Sequence, residues 1–222
     1  MSTPRRISAA LAATTLLIIG SGAGACEEVP RTFSSAGAES EALFIERFDD
    51  AELGPDWAPT GEGARVEDGA LVVEGLRNHP LWLTRPLPDD FRVDFDTWTE
   101  GDEGDIKVEF AGDGESAATR MNYIASGYVL IFGGWNNSVS GIFRQSEHGR
   151  AKQVTDAFTV EAGRRYHVTI TRVGGSIRWE LNGREVVSYE DARPLVGPGY
   201  QHFAFSGWES RVHFDNLVIR AL

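Results

Sequence analysis

Asp68-Gly69, Gly174-Gly175 and Asn182-Gly183 each sit between two short runs of β-prone residues, and nothing else in the 222-residue chain restricts its fold as tightly. Such pairs supply the positive φ that type I′ and II′ turns require, so each predicts a two-residue hairpin between antiparallel strands. The flanking runs are 64–67 with 70–73, 166–173 with 176–181, and 176–181 with 184–189.

Between the turns the hydrophobic period is two. Phe91, Val93 and Phe95 alternate with Arg92, Asp94 and Asp96, and Ile177, Trp179 and Leu181 with Arg178 and Glu180, which predicts strands with one wet face. Tyr128 to Phe132 is apolar throughout, as in a strand covered on both sides. In the last run Val212 and Phe214 are out of phase with Leu217 and Ile219, so a bulge is expected at Asp215-Asn216. No stretch after residue 42 carries a helical period with caps at both ends. The expected class is all-β, a two-sheet antiparallel β-sandwich over 42–222.

The start of the chain reads differently. Arg5 and Arg6 precede a mostly apolar run from Ile7 to Ile19, and small residues at 21–25 lead to Cys26, the only cysteine. This is the pattern of an export signal over 1–25, and a run of 13 falls short of the roughly 20 residues that span a bilayer. Small residues before the cysteine resemble a bacterial lipobox, in which Cys26 is acylated and becomes the mature N-terminus. Ala23-Gly24-Ala25 equally suits plain secretion, with cleavage at the same bond. The residues from Cys26 to Glu41 then form a disordered tether, rich in Ser, Ala, Gly and Glu. The expected location is the bacterial cell envelope, attached to a membrane through the lipid alone, with a secreted or periplasmic protein as the alternative.

Charge narrows the partners. There are 21 Lys and Arg against 33 Asp and Glu, and loss of Arg5 and Arg6 with the leader takes the formal charge from −12 to −14. A field of that sign opposes polyanions, so nucleic acid is excluded as a partner and uronate or sulfated polymers are disfavoured.

Two sets of segments resemble a known superfamily. Phe48-Asp49-Asp50, Leu53-Gly54-Pro55-Asp56-Trp57 and Val66 to Leu71 are similar to the opening of concanavalin A-like jelly rolls. Arg165 to Val168, Leu181 to Arg184, Gly197-Pro198-Gly199 and Val212 to Ile219 resemble their second half, above all in LamG-like and 3-keto-disaccharide-hydrolase-like members. The resemblance implies the jelly-roll fold. It leaves activity open, because the fold hosts lectins, hydrolases, lyases and adhesion modules. It also implies a possible structural calcium held by Asp215 with oxygens of the Asp49 region, against an Asp215 that simply caps a turn. No other cofactor is called for.

The same resemblance invites comparison of Asp105-Ile106-Lys107-Val108-Glu109 with the E-x-D-x-E strand of retaining glucanases. Alternation places Asp105, Lys107 and Glu109 on one face. If the protein is an enzyme, Asp105, Glu109 and His148 are its candidate catalytic groups. However, Lys107 between two carboxylates is expected to lower their pKa and spoil proton donation, so a salt-bridged ladder on a wet face competes with catalysis. The stretch from Tyr128 through Trp135, Asn136 and Asn137 to Arg144 and His148 combines glycines, an aromatic face and amides, the mixture that sugar rings and hydroxyl groups need. Asn78, His79 and Trp82 widen that candidate site from another loop. The same loops equally suit plain strand connections. His148 paired with Tyr123 or Tyr128 also resembles the acid and base of polysaccharide lyases, although the signature strands of alginate lyases are absent. Trp57, Trp98, Trp179 and Trp208 are assigned to the core or rim.

Nucleotide-binding, zinc-protease and serine-hydrolase motifs are absent. The leading expectation is an envelope-anchored module that binds a neutral carbohydrate. A glycoside hydrolase or a noncatalytic adhesion lipoprotein is the alternative, and the oligomeric state stays open.

Overall fold

The computed structural model describes residues 41–119 and 123–222; the leader, Cys26 and the tether up to residue 40 lie outside the described residues. Fifteen strands follow in chain order. They are β1 (Ala42–Glu46), β2 (Trp57–Pro59), β3 (Ala64–Glu67), β4 (Ala70–Val73), β5 (Leu81–Leu83), β6 (Phe91–Thr99), β7 (Ile106–Gly112) and β8 (Tyr128–Gly133). The rest are β9 (Val139–Arg144), β10 (Lys152–Thr155), β11 (Tyr166–Val173), β12 (Ser176–Leu181), β13 (Arg184–Glu190), β14 (His202–Ser206) and β15 (Val212–Ala221).

All pairings are antiparallel and fall into two sheets. The first runs β13-β12-β11-β6-β15-β4-β3, with β1 also on β15; the second runs β10-β9-β8-β7-β14-β5-β2. The three hairpins form where the turn dipeptides place them, closing β3 on β4, β11 on β12 and β12 on β13. Asp68, Gly69, Asn182 and Gly183 all have positive φ, which a type I′ turn demands at both central residues.

The bulge in β15 is also present. Register against β6 slips between Asp215 and Val218, with Asn216 at φ 52°. The slip keeps Phe214 and Leu217 both fully buried, and it divides the strand's other edge: 212–214 pair with β4 and 217–220 with β1.

Inward residues of both sheets meet in one core. Phe205 of the second sheet lies 4.3 Å from Phe214 and 5.7 Å from Phe95 of the first, ring centre to ring centre, with Phe203 and Trp57 at 5.1 and 5.5 Å. Such rings combine large buried area with favourable edge and tilted contacts. Trimming the central one to a methyl leaves a void its rigid neighbours cannot fill. Phe205→Ala is therefore expected to destabilise the protein by about 3–5 kcal/mol, read as a lowered urea midpoint at unchanged m-value.

Candidate functional site

The second sheet is covered on its outer face as well. Alternation in β7 sends Ile106, Val108 and Phe110 into the core and Lys107 and Glu109 outward, yet Lys107 is 1% exposed and Glu109 fully buried. The expected wet ladder is thus corrected: other segments close over it. Ala125 and Tyr123 pack with Val129, Ile131 and Phe143 in a second apolar cluster on this face. Nearby, Trp82 is wholly buried against Gly112 and donates from Nε1 to the Ser116 carbonyl at 3.0 Å.

A cavity of about 1090 Å³ opens beside this cover. Asp105, Lys107, Tyr123 and Glu147 line its interior; Trp135, Asn136, His148, Asn78, Trp208 and Arg211 complete the wall. Trp135 and Trp208 are each nearly half exposed, so two aromatic faces front one space.

Buried charge is compensated locally. Lys107 Nζ donates to Glu147 Oε1 and to Asn78 Oδ1, both at 2.9 Å. Glu109 Oε2 accepts the Tyr123 hydroxyl at 2.6 Å, and the Ser206 hydroxyl sits close enough to favour the ionised carboxyl without closing a hydrogen bond of good geometry on Oε1. Burial pushes the Glu109 carboxyl up to about 7 against the opposing pull of the Tyr123 hydrogen bond and the Lys107 charge. Lys107 pulls both carboxyl pKa values down, as its charge predicts, but desolvation outweighs that pull and the net shift of each is upward. Asp105 is also raised by burial, with its Oδ2 unpartnered and the Trp208 backbone N–H donating to its carboxylate.

Backbone strain sets the cavity's edge. Trp135, Asn136 and Asn137 have φ of 50°, 57° and 58°, a single left-handed turn closed by the Ser138 N–H on the Gly134 carbonyl at 3.0 Å. Left-handed residues cost about 1–2 kcal/mol each. Asn137 offsets this by donating to the carbonyls of Asp102 and Val160 at 2.8 and 2.7 Å and accepting from the Val160 N–H at 2.8 Å. Gly104 touches the same turn so closely that a Cβ there would sit 2.2 Å from the Gly133 oxygen. Asp105, itself at φ 63°, donates its N–H to that oxygen at 2.9 Å.

The sequence-derived candidates divide accordingly. Asn78, Asp105, Trp135, Asn136 and His148 share the cavity wall, with Glu109 behind Tyr123. Asn137 is a clamp rather than a wall residue. His79 turns away to the Thr60 carbonyl at 3.2 Å, and Trp82 is sealed under its loop. Tyr128 points into the core, its hydroxyl donating to Asp191 Oδ2 at 2.7 Å, where Arg144 Nε also binds at 2.8 Å. Asp215 faces Arg165 at 3.5 Å and takes its neighbour's N–H, and the described residues hold no cluster of three or more His, Cys, Asp or Glu side chains fit for a metal. Trp208, assigned to core or rim, belongs to the cavity instead, and Glu147 was legible only as part of a polar loop.

A buried acid with a raised pKa weakens the fold once it ionises. The Glu109 contribution to stability is expected to be full below about pH 4.5 and to be lost, by about 3 kcal/mol, as pH rises to 7, and Glu109→Gln, which loses no hydrogen-bonding capacity, should remove that component of the slope in pH-dependent urea titrations.

The fold is that of carbohydrate-binding module CBM66 from Bacillus subtilis (12% identity, TM-score 0.55, covering 75% of this chain and 96% of the module). It is shared with laminarinase from Flavobacterium sp. UMI-01 (10%, 0.56, 81% and 100%) and with the lumenal domain of VIP36 in its Ca²⁺- and mannose-bound form (9%, 0.58, 76% and 84%). These place the architecture among concanavalin A-like jelly rolls. No curated protein sequence matches the chain. The sequence pattern of the 3-keto-alpha-glucoside-1,2-lyase-like domain spans residues 43–220, almost the whole of the sandwich, and the chain belongs to that family.

Proposed function

We propose that the cavity binds a neutral sugar and that the protein is a lyase acting on a 3-keto glucoside. The observation that carries this reading is a set of buried, unequally compensated charges beneath two half-exposed tryptophans. Simple sugar binding needs the aromatic faces and some amides but not a sequestered Lys–Glu pair, which costs desolvation. A ketone at C3 acidifies the proton on C2, and cleavage across C1 and C2 then requires a base, an electrophile for the enolate oxygen and a proton for the departing oxygen. Asp105 suits the first role: it lines the cavity, its buried Oδ2 has no hydrogen-bond partner, and burial raises its basicity. Lys107 suits the second, since two of its N–H groups are fixed and the third is uncommitted by Glu147 and Asn78.

A second reading keeps binding without turnover, favoured by the complete burial of Glu109. Both readings place the sugar on Trp135 and Trp208, in line with the carbohydrate-related names of several structural neighbours. We further propose that the protein is exported and held at the cell envelope by acylation of Cys26, with the tether leaving the cavity free.

Release of p-nitrophenol from p-nitrophenyl 3-keto-α-glucoside separates the two readings: turnover supports the lyase, and binding without release supports the module. Asp105→Asn is expected to lower kcat by about 10²-fold or more while leaving the thermal midpoint within a few degrees, and Lys107→Met to lower kcat as much but also to destabilise the fold by about 3–5 kcal/mol, because it strands Glu147. Trp135→Ala should instead weaken binding at least about tenfold, the loss of roughly 1.4 kcal/mol of stacking. Cys26→Ala should move the protein from the membrane fraction to the soluble one; retention on the membrane would refute acylation.

A further inference from the structure

We infer that Glu109 and Tyr123 form a proton relay between the buried floor of the second sheet and an oxygen of the sugar in the cavity. The inference rests on the sugar-binding reading of that cavity and assigns it a further pair of residues. Three geometric facts carry it. Glu109 is wholly buried and does not line the cavity, whereas Tyr123 does, and their oxygens are 2.6 Å apart. Glu109 Oε1 closes no hydrogen bond of good geometry, and the Ser206 hydroxyl near it lies on the adjoining strand β14, where Ala204 pairs with Glu109 and Ser206 with Lys107. A hydroxyl tied to a carboxylate has only one proton to donate.

That single proton makes the pair directional. With Glu109 ionised, the Tyr123 O–H points inward to the carboxylate. With Glu109 protonated, the carboxyl donates to the Tyr123 oxygen and frees the phenolic proton for an acceptor in the cavity. In an elimination, Tyr123 gives its proton to the departing glycosidic oxygen as the C1–O bond breaks, and Glu109 gives its proton to Tyr123. Tyr123 ends neutral, Glu109 ends as carboxylate, the leaving group departs as an alcohol, and Asp105 holds the proton taken from C2. Solvent then resets both acids.

The groups facing this pair are few. Lys107 on β7 favours ionisation of Glu109, while Glu147 on the loop after β9 opposes it; Asp113 and Glu147 both disfavour ionisation of Tyr123. Desolvation dominates each of them, which leaves Glu109 near 7 and Tyr123 firmly protonated. A sugar oxygen that diverts the Tyr123 hydroxyl removes a stabilising donor from the carboxylate. Binding should therefore draw a proton onto Glu109.

Isothermal titration near pH 7 with 1,5-anhydro-3-keto-glucitol, which has no leaving group, tests this without turnover. Heats measured in buffers of different ionisation enthalpy should reveal net uptake of a substantial fraction of a proton per sugar bound. Glu109→Gln should bind within about threefold of wild type and lose the uptake; Tyr123→Phe should also lose the uptake, with binding weakened by the missing hydroxyl contact, and if one fails to fold, the other carries the same test. Binding with no uptake in the wild-type protein, or uptake that persists in either variant, overturns the relay while leaving the sugar site intact. Absence of any binding overturns the sugar site and the relay together. For turnover, the relay further requires the kcat/KM–pH profile to fall through a limb near 7, displaced upward in kcat, that disappears in Glu109→Gln. A limb that survives the substitution refutes it.

Discussion

Lys107 and Glu109 share the outer face of β7 and Asp105 directly precedes it, and a cation and two acids can leave water there only if distant segments bring them partners. That requirement organises the second sheet. Asn78 and Glu147 reach Lys107 from either side, Tyr123 covers Glu109, and the Trp208 backbone supports Asp105. Each partner comes from a different loop. The cavity is the space left where those loops converge, so its shape and its charge have one origin.

Local chemistry made the sandwich readable. A two-residue turn is decided by the φ preferences of its own residues, and strand alternation is decided by which face is dry, so the three hairpins, the alternating strands and the β15 bulge follow from short windows of sequence. The site was legible only in part. Its strained Trp135 turn and the acids Asp105 and Glu109 stand out as residue types. Which tryptophan faces the ligand does not: Trp82 and Trp208 exchange the expected roles because a loop thirty residues away covers the first, through Ser116, and leaves the second open. Likewise, whether Lys107 is solvated depends on Asn78 and Glu147, 29 and 40 residues distant, and no local period carries that information.

The pKa of Glu109 shows how such non-local closure changes chemistry. On an open strand a neighbouring lysine would hold both acids ionised. Once covered, the same lysine spends its charge on Glu147, and the buried Glu109 carboxyl becomes a group that exchanges protons near neutrality.

The clamp formed by Asn137 has a different consequence. Its one amide fastens the segments at 102 and 160 to the turn that presents Trp135, and the glycine contact at 104 and 133 fuses the base next to it. An insertion in any of these three loops would therefore displace Asp105 and Trp135 at once. The opposite bank, carrying Trp208 and Glu209, has no such fastening to the turn in the described residues. That bank can change shape without carrying Trp135 with it, so the two sides of the cavity mouth are mechanically separate.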